Sequence, residues 1–259
     1  MADYAPGTPS WVDLASPDTD ASASFYGGLF GWDTMDPAPG EDTGGYRMFT
    51  KDGKMVAGLG PIMQEGQPPV WTTYVAVESA DDTAGKVRDA GGQVFVEPMD
   101  VMTAGRMAIF ADPAGAVFGV WQPGDHRGAE LVNEPGTLNW NELATRDPES
   151  ATTFYPSVFG WRPDVQDFGG MPYTLWMIGD RPIGGMMAMG DQFPPEVPSY
   201  WGVYFAVDDT DATAARAKEL GGNVITGPTD IPNVGRFAAV TGPTGEFFSI
   251  IKSEGSADG

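Results

Sequence analysis

Residues 25–32 read FYGGLFGW, and residues 154–161 read FYPSVFGW. An aromatic pair, a break of small or ring-constrained residues and a closing Phe-Gly-Trp recur in the same order. The match extends outward from there. Trp11 aligns with Trp140, Asp18 with Asp147 and Phe25-Tyr26 with Phe154-Tyr155, all 129 apart. Tyr46 and Tyr173, like Lys54 and Arg181, stand 127 apart, which places a two-residue shortening in the loop before them. From Ala76-Val77 and Ala206-Val207 onward the spacing is 130, through Gly91-Gly92 with Gly221-Gly222 and Gly105-Arg106 with Gly235-Arg236. Spacing that changes only in loops is what two homologous copies show. Two copies of this length make a domain pair and not a solenoid, which needs shorter and more numerous repeats. The expected division is one domain over 1–124, a linker over 125–136 and a second domain over 137–259.

Each copy subdivides again. WVDLAS reads as a strand, and Asp18 or Thr19 caps a helix through ASASFYGGLFG that stops near Gly31. YRMFT and KMVAGLG read as short strands. The pattern then restarts with TTYVAV, the capped helix ADDTAGKVRDAGG, and the strands QVFVEP, GRMAIFAD and AVFGVWQ. Strand–helix–three strands, four times over, predicts an α+β chain.

Composition narrows the function classes. The 259 residues are 41% hydrophobic, with eight Trp and fourteen Phe, which suffices for globular cores. A formal charge of −22 disfavours nucleic acid and anionic membranes as partners. No cysteine is present, so disulfides, thiol nucleophiles and thiolate metal sites are excluded. No basic, apolar leader opens the chain and no apolar run reaches membrane-spanning length, so a cytoplasmic location is expected. There is neither a G-x-G-x-x-G phosphate loop nor a G-x-S-x-G nucleophile elbow.

The Asp-to-FGW segment after the first strand, the A-V-(D/E) before the second helix and the (D/G)-P-x-G-x-x-F before the last strand resemble the vicinal oxygen chelate superfamily. That group includes glyoxalase I, extradiol dioxygenases, fosfomycin resistance enzymes and bleomycin-binding proteins. The resemblance covers both copies. It points to the fused two-domain form found among mycobacterial and other actinobacterial relatives, which carry glyoxalase-like or hydroxylase labels. It implies tandem βαβββ modules in two glyoxalase-like, cup-shaped domains. It also implies that a fused pseudo-dimer of this kind is a monomer or a weak homodimer.

The same resemblance implies metal ligands on the first strand, on the strand opening the second module and on the last strand. Those positions are Trp11, Thr72 and Gly119 in the first copy, and Trp140, Gly202 and Ser249 in the second. A catalytic metal needs about three ligands of the His, Glu, Asp or Cys type. These positions offer none, and the one histidine, His126, falls in the linker. A metal-free protein without a cofactor is therefore expected. The alternative is a metal-dependent glyoxalase, lyase or dioxygenase using non-standard ligands such as Asp13, Glu142 and His126.

Residues two apart on a strand share a face. Asp13 follows Trp11 and Glu142 follows Trp140, which makes both carboxylates candidate general bases or hydrogen-bond anchors. The competing role is structural, with each acid bonding backbone groups or Arg106 or Arg236. His126 is a further candidate acid or base should the linker fold over a cup. Tyr74 and Trp121 in the first copy, and Tyr204 and Phe247 in the second, share the face of the lost ligand positions. Trp176 and Met186 add candidate wall residues. Together they suggest a small apolar or aromatic organic ligand, of the kind met in secondary metabolism, resistance or detoxification. Gly202 opposite Thr72, and the longer acid Glu142 opposite Asp13, point to the second copy as the working one.

Overall fold

A computed structural model describes residues 4–37, 43–64, 66–168, 170–191 and 193–254. The outer ends of the two expected domains, residues 1–3 and 255–259, lie outside the described residues.

The first copy runs β1 (Pro9–Ser16), α1 (Thr19–Phe30), β2 (Asp33–Met35), β3 (Arg47–Lys51), β4 (Lys54–Pro61), β5 (Val70–Ala76), α2 (Ala80–Asp89), β6 (Gln93–Val101), β7 (Gly105–Ala111) and β8 (Val117–Pro123). The second repeats it with β9 (Leu138–Thr145), α3 (Pro148–Phe159), β10 (Arg162–Phe168), β11 (Met171–Ile178), β12 (Arg181–Ala188), β13 (Tyr200–Ala206), α4 (Thr210–Glu219), β14 (Asn223–Ile231), β15 (Gly235–Thr241) and β16 (Phe247–Ser253). Two eight-stranded sheets result, ordered β2-β3-β4-β1-β5-β8-β7-β6 and β10-β11-β12-β9-β13-β16-β15-β14. Within them β1 and β4, β5 and β8, β9 and β12, and β13 and β16 pair in parallel. No helix among the described residues is long and apolar enough to cross a membrane.

The helix ends follow from the sequence. Asp18 accepts the Ala21 amide at 2.9 Å and Asp147 the Ser150 amide at 3.0 Å, satisfying donors that the first helical turn leaves open. Gly31 and Gly160 then close α1 and α3 with φ of 72° and 73°, a left-handed conformation that glycine adopts without strain.

The FY…FGW stretch turns out to be core. Phe25 and Tyr26 meet edge to face at 5.0 Å and 89°, and Phe154 and Tyr155 repeat both values. Tyr26 stacks on Trp32 at 5.6 Å, and Tyr155 on Trp161 at 5.4 Å. The two Trp indoles donate to the carbonyls of Gly136 and Gly7, each at 2.7 Å. Edge-to-face and offset contacts add about 0.5–1.5 kcal/mol per pair to the area term. The motif is a packing device.

Chain contacts gather into two compact units, each drawn from both copies. One comprises Trp11–Trp71, Ala129–Asn139 and the segment from Val203 onward; the other comprises Thr72–Gly128, Trp140–Gly202 and the segment up to Ser10. In the first, Tyr26 donates to Glu246 Oε1 at 3.0 Å and accepts the Trp71 indole N–H at 2.9 Å. In the second, Tyr155 donates to Asp112 Oδ2 at 3.0 Å and accepts from Trp201 at 2.9 Å. Each helix tyrosine thus serves a carboxylate from the opposite copy. Burial raises the ionisation of both phenols well above the usual tyrosine value, and the neighbouring carboxylate raises it further. They remain neutral donors.

The arginines weighed as partners for Asp13 and Glu142 are engaged elsewhere. Arg106 forks onto Asp81 at 2.8 and 3.0 Å and reaches Asp100 at 2.9 Å. Arg236 makes the matching contacts with Asp211 at 2.6 and 3.0 Å and Asp230 at 2.9 Å. Both clamps are exposed and tie a helix start to the neighbouring hairpin.

Candidate functional site

Alternation along β9 sorts its side chains. Leu143 joins the aromatic core while Trp140 and Glu142 lie on the opposite face, half-buried. There the Trp140 indole donates to Tyr173 Oη at 3.0 Å, and Tyr173 donates to Glu142 Oε2 at 2.7 Å. Gly185 on β12, in register with Glu142, makes this possible, because a Cβ at 185 would overlap the Tyr173 hydroxyl. The first copy builds the same relay from Trp11, Tyr46 and Asp13 over Gly58. Trp11 and Trp140 therefore occupy equivalent places on equivalent faces.

The two relays differ in engagement. A hydroxyl bound to a carboxylate spans about 2.5–2.7 Å when strong. The Tyr173–Glu142 distance of 2.7 Å meets that range, whereas Tyr46 stands 3.3 Å from Asp13 Oδ2. Glutamate's extra methylene supplies the missing reach. Burial, reinforced by the Asp13 charge, lifts the Tyr46 phenol well above the ordinary tyrosine range.

A second difference lies on the neighbouring strand. The second copy has Tyr200 and Gly202 where the first has Val70 and Thr72. A Cβ placed on Gly202 would stand 3.5 Å from the Tyr200 ring and 3.6 Å from the Glu142 carbonyl, ordinary contact distances. Burial first, and the Glu142 charge second, push the Tyr200 phenol up to about 12.

The other candidates divide. Tyr204 and Phe247 are half-buried and Ser249 is buried, on the face turned away from the Phe205, Phe248 and Ile250 core, with Tyr204 in register with Ser249. Thr72 is half-buried and Tyr74 buried, and the Tyr74 ring covers Gly119, where a Cβ would overlap it. Trp121 is buried and donates to the His126 carbonyl at 2.8 Å. His126, anticipated in a linker able to fold over a cup, is instead buried with its ring edge-on to Trp121 at 5.7 Å. Trp176 and Met186 are in the core with Tyr155 and Trp161, on the face of their strands away from Tyr173 and Gly185. Tyr173, Gly185 and Tyr200 are the site residues that sequence reasoning passed over. The shared 127-residue spacing of Tyr46/Tyr173 and Gly58/Gly185 was the available signal.

The donor set does not fit a metal ion of the kind the resemblance implies. Two tryptophans, two glycines, a threonine and a serine stand at the six positions. Among the described residues no three His, Cys, Asp or Glu side chains gather closely enough to hold one. A hollow of about 300 Å³ lined by Tyr4, Val77, Glu78 and Gln122 contains no member of either relay.

Residues 8–120 and 137–250 both match the Glyoxalase/Bleomycin resistance protein/Dioxygenase superfamily, and the chain belongs to that superfamily. It is 46% identical over 256 residues to CFP32 of Mycobacterium tuberculosis, a candidate glyoxylase, covering 97% of each chain. It is 44% identical over 267 residues to the anthracycline biosynthesis protein DnrV of Streptomyces peucetius, covering 97% of this chain and 95% of that one. Among solved structures, the 2,3-dioxygenase LapB from Pseudomonas sp. KL28 shares the fold at TM-score 0.67 and 12% identity, covering 98% of this chain and 94% of that one. The Mn(II)-bound glyoxalase from Novosphingobium aromaticivorans does so at 0.65 and 19%, covering 95% of this chain and 82% of that one.

Proposed function

We propose that this protein binds a small, oxygenated aromatic molecule at the Glu142–Tyr173 relay, without a metal ion, and moves a proton on that ligand. The 2.7 Å Tyr173–Glu142 hydrogen bond carries the reading. It holds a carboxylate with its donor on the face to which the superfamily resemblance assigns metal ligands. A carboxylate so oriented accepts a proton from a phenol, an enol or a carbon acid, and Tyr173 returns one. Trp140 fixes the tyrosine through its own N–H. Tryptophan and tyrosine beside a carboxylate suit a flat, partly polar ligand. The 44% identity to an anthracycline biosynthesis protein supports a polycyclic, oxygen-bearing ring system as the class.

Tryptophan fluorescence titration with 1,4-dihydroxyanthraquinone tests this. Glu142→Gln keeps shape but removes the charge and is expected to weaken binding about tenfold, the ratio equivalent to ~1.4 kcal/mol. Asp13→Asn is expected to change it less than about threefold. Silence of Glu142→Gln, or one equivalent of zinc, nickel or manganese in the purified protein that is lost together with binding, would overturn the reading.

A further inference from the structure

Resting on the reading just given, we infer that Tyr200 and Gly202 set the specificity of the second relay, forming a slot that admits a flat fused ring beside Glu142. The two residues lie two apart on β13 and share the face on which Gly202 meets the Glu142 backbone. A branched side chain at 202, such as the threonine of the first copy, would extend from a Cβ already in contact with both the ring and the Glu142 carbonyl. Gly202 is itself buried beside the Tyr200 ring, and as a glycine it adds no side chain to that strip. The Tyr200 ring then forms one wall, and Glu142 with Tyr173 supplies polar groups for an oxygen on the ligand edge. In the first copy Val70 offers no ring and Thr72 carries a branched side chain at the matching position. A wall of this kind discriminates only when it is held still.

The chain entering β13 is pinned for that purpose. Ser199, immediately before Tyr200, is buried, and its hydroxyl accepts the Arg146 amide at 3.1 Å. The Arg146 guanidinium donates to the Val197 carbonyl at 2.9 and 3.1 Å and to the Pro194 carbonyl at 2.6 Å. The first copy has Pro17 in place of Arg146, so it lacks the clamp together with the ring. The tyrosine, the glycine and the arginine are thus found together in one copy.

The test is a binding series with 1,4-dihydroxyanthraquinone, read by tryptophan fluorescence on the full chain. Gly202→Thr is expected to weaken binding about tenfold, and Tyr200→Val by a similar factor, through loss of the slot and of the stacking wall. Tyr200→Phe keeps the ring and is expected to hold affinity within about threefold of wild type. Gly202→Ala, whose Cβ meets its neighbours at ordinary contact distance, covers the case in which the threonine variant fails to fold. It is expected to bind within about threefold of wild type, and a loss as large as that of Tyr200→Val would count against the slot. Catechol, a single ring too small to span the slot, should bind Gly202→Thr and wild type alike. If Gly202→Thr and Tyr200→Val both bind the anthraquinone as wild type does while Glu142→Gln does not, the slot is refuted and the relay reading stands. If wild-type protein binds neither probe, both fall.

Discussion

Gly242 leaves the space that the carboxylate of Glu246 occupies, since a Cβ at 242 would overlap its Oε1. The first copy has Asp112 and Ala116 at the matching positions. The same group is thus delivered to the same tyrosine–tryptophan pair from backbone positions four residues apart. Asp112 accepts the Ala114 and Ala116 amides at 2.9 Å each as well as Tyr155. Glu246 accepts the Thr244 amide at 3.2 Å and hydroxyl at 2.6 Å as well as Tyr26.

Glu246→Ala is therefore expected to cost about 1–3 kcal/mol, the penalty for leaving the buried Tyr26 hydroxyl without its acceptor. Gly242→Asp alone should also destabilise, by forcing two carboxylates together. The double variant Gly242→Asp/Glu246→Ala copies the first repeat and is expected to recover most of the loss in urea unfolding. A double variant as unstable as the sum of the singles would contradict the exchange.

Thr73 and Asn141 form a buried hydrogen bond of 2.8 Å. The other unit places Val203 and Val12 at the equivalent positions, both fully buried. Asn141→Val alone strands the Thr73 hydroxyl and should cost about 1–3 kcal/mol. Thr73→Val/Asn141→Val replaces the polar pair by the apolar one and is expected within about 1 kcal/mol of wild type. Thermal and urea melts of the three variants check the ordering.

Gly185→Ala should evict the Tyr173 hydroxyl and break its bonds to both Trp140 and Glu142. Binding of the anthraquinone probe should fall at least about tenfold, a loss of ~1.4 kcal/mol. Gly58→Ala, which disturbs the looser Tyr46 relay in the same way, should leave that binding near wild type. Equal effects would remove the distinction between the copies.

Tyr200 supplies a pH signature. Its phenol is raised from the unfolded value of 10.0 to about 12, so the folded protein resists an ionisation that the unfolded chain accepts. The contribution of Tyr200 to stability is full below about pH 10 and is lost as the pH climbs through about 12. Tyr200→Phe should flatten this decline, and Glu142→Gln should move the Tyr200 ionisation downward by removing the nearby negative charge. Difference absorbance of the phenolate, referenced to Tyr200→Phe, reads the shift.

Sequence periodicity carried the repeat, the helix caps and the shared face of Trp11 with Asp13 and of Trp140 with Glu142, because strand parity is a local property. Trp176 and Met186, candidates for their aromatic and thioether character and not for their parity, lie in the core, since both faces of these sheets bury apolar side chains and hydrophobicity does not say which face is which. The irregularity in pairing between Trp176 and Met177 blurs parity further. His126 read as linker, yet its amide is held by the Ala104 carbonyl at 3.0 Å and its ring by Trp121. The Tyr26–Glu246 and Tyr155–Asp112 pairs were invisible because their acids occupy different repeat positions. Tyr200 was invisible because the first copy has valine there, and a comparison of copies rewards sameness.

The tyrosine of the first helix and the glutamate that satisfies it are separated by 220 residues. At a synthesis rate of about 5–20 residues per second, Tyr26 leaves the ribosome roughly 10–40 s before Glu246 exists. Phe248, which packs on Phe25 and Tyr26, arrives later still. For that interval Phe49 of β3 already packs on Tyr26 and Trp32, but the cover that Phe205 and Phe248 supply is missing. Biogenesis of this chain is therefore a problem of waiting, because the core around Tyr26 closes only when the last strand has been made. An order that finished one repeat before starting the next would leave both halves incomplete.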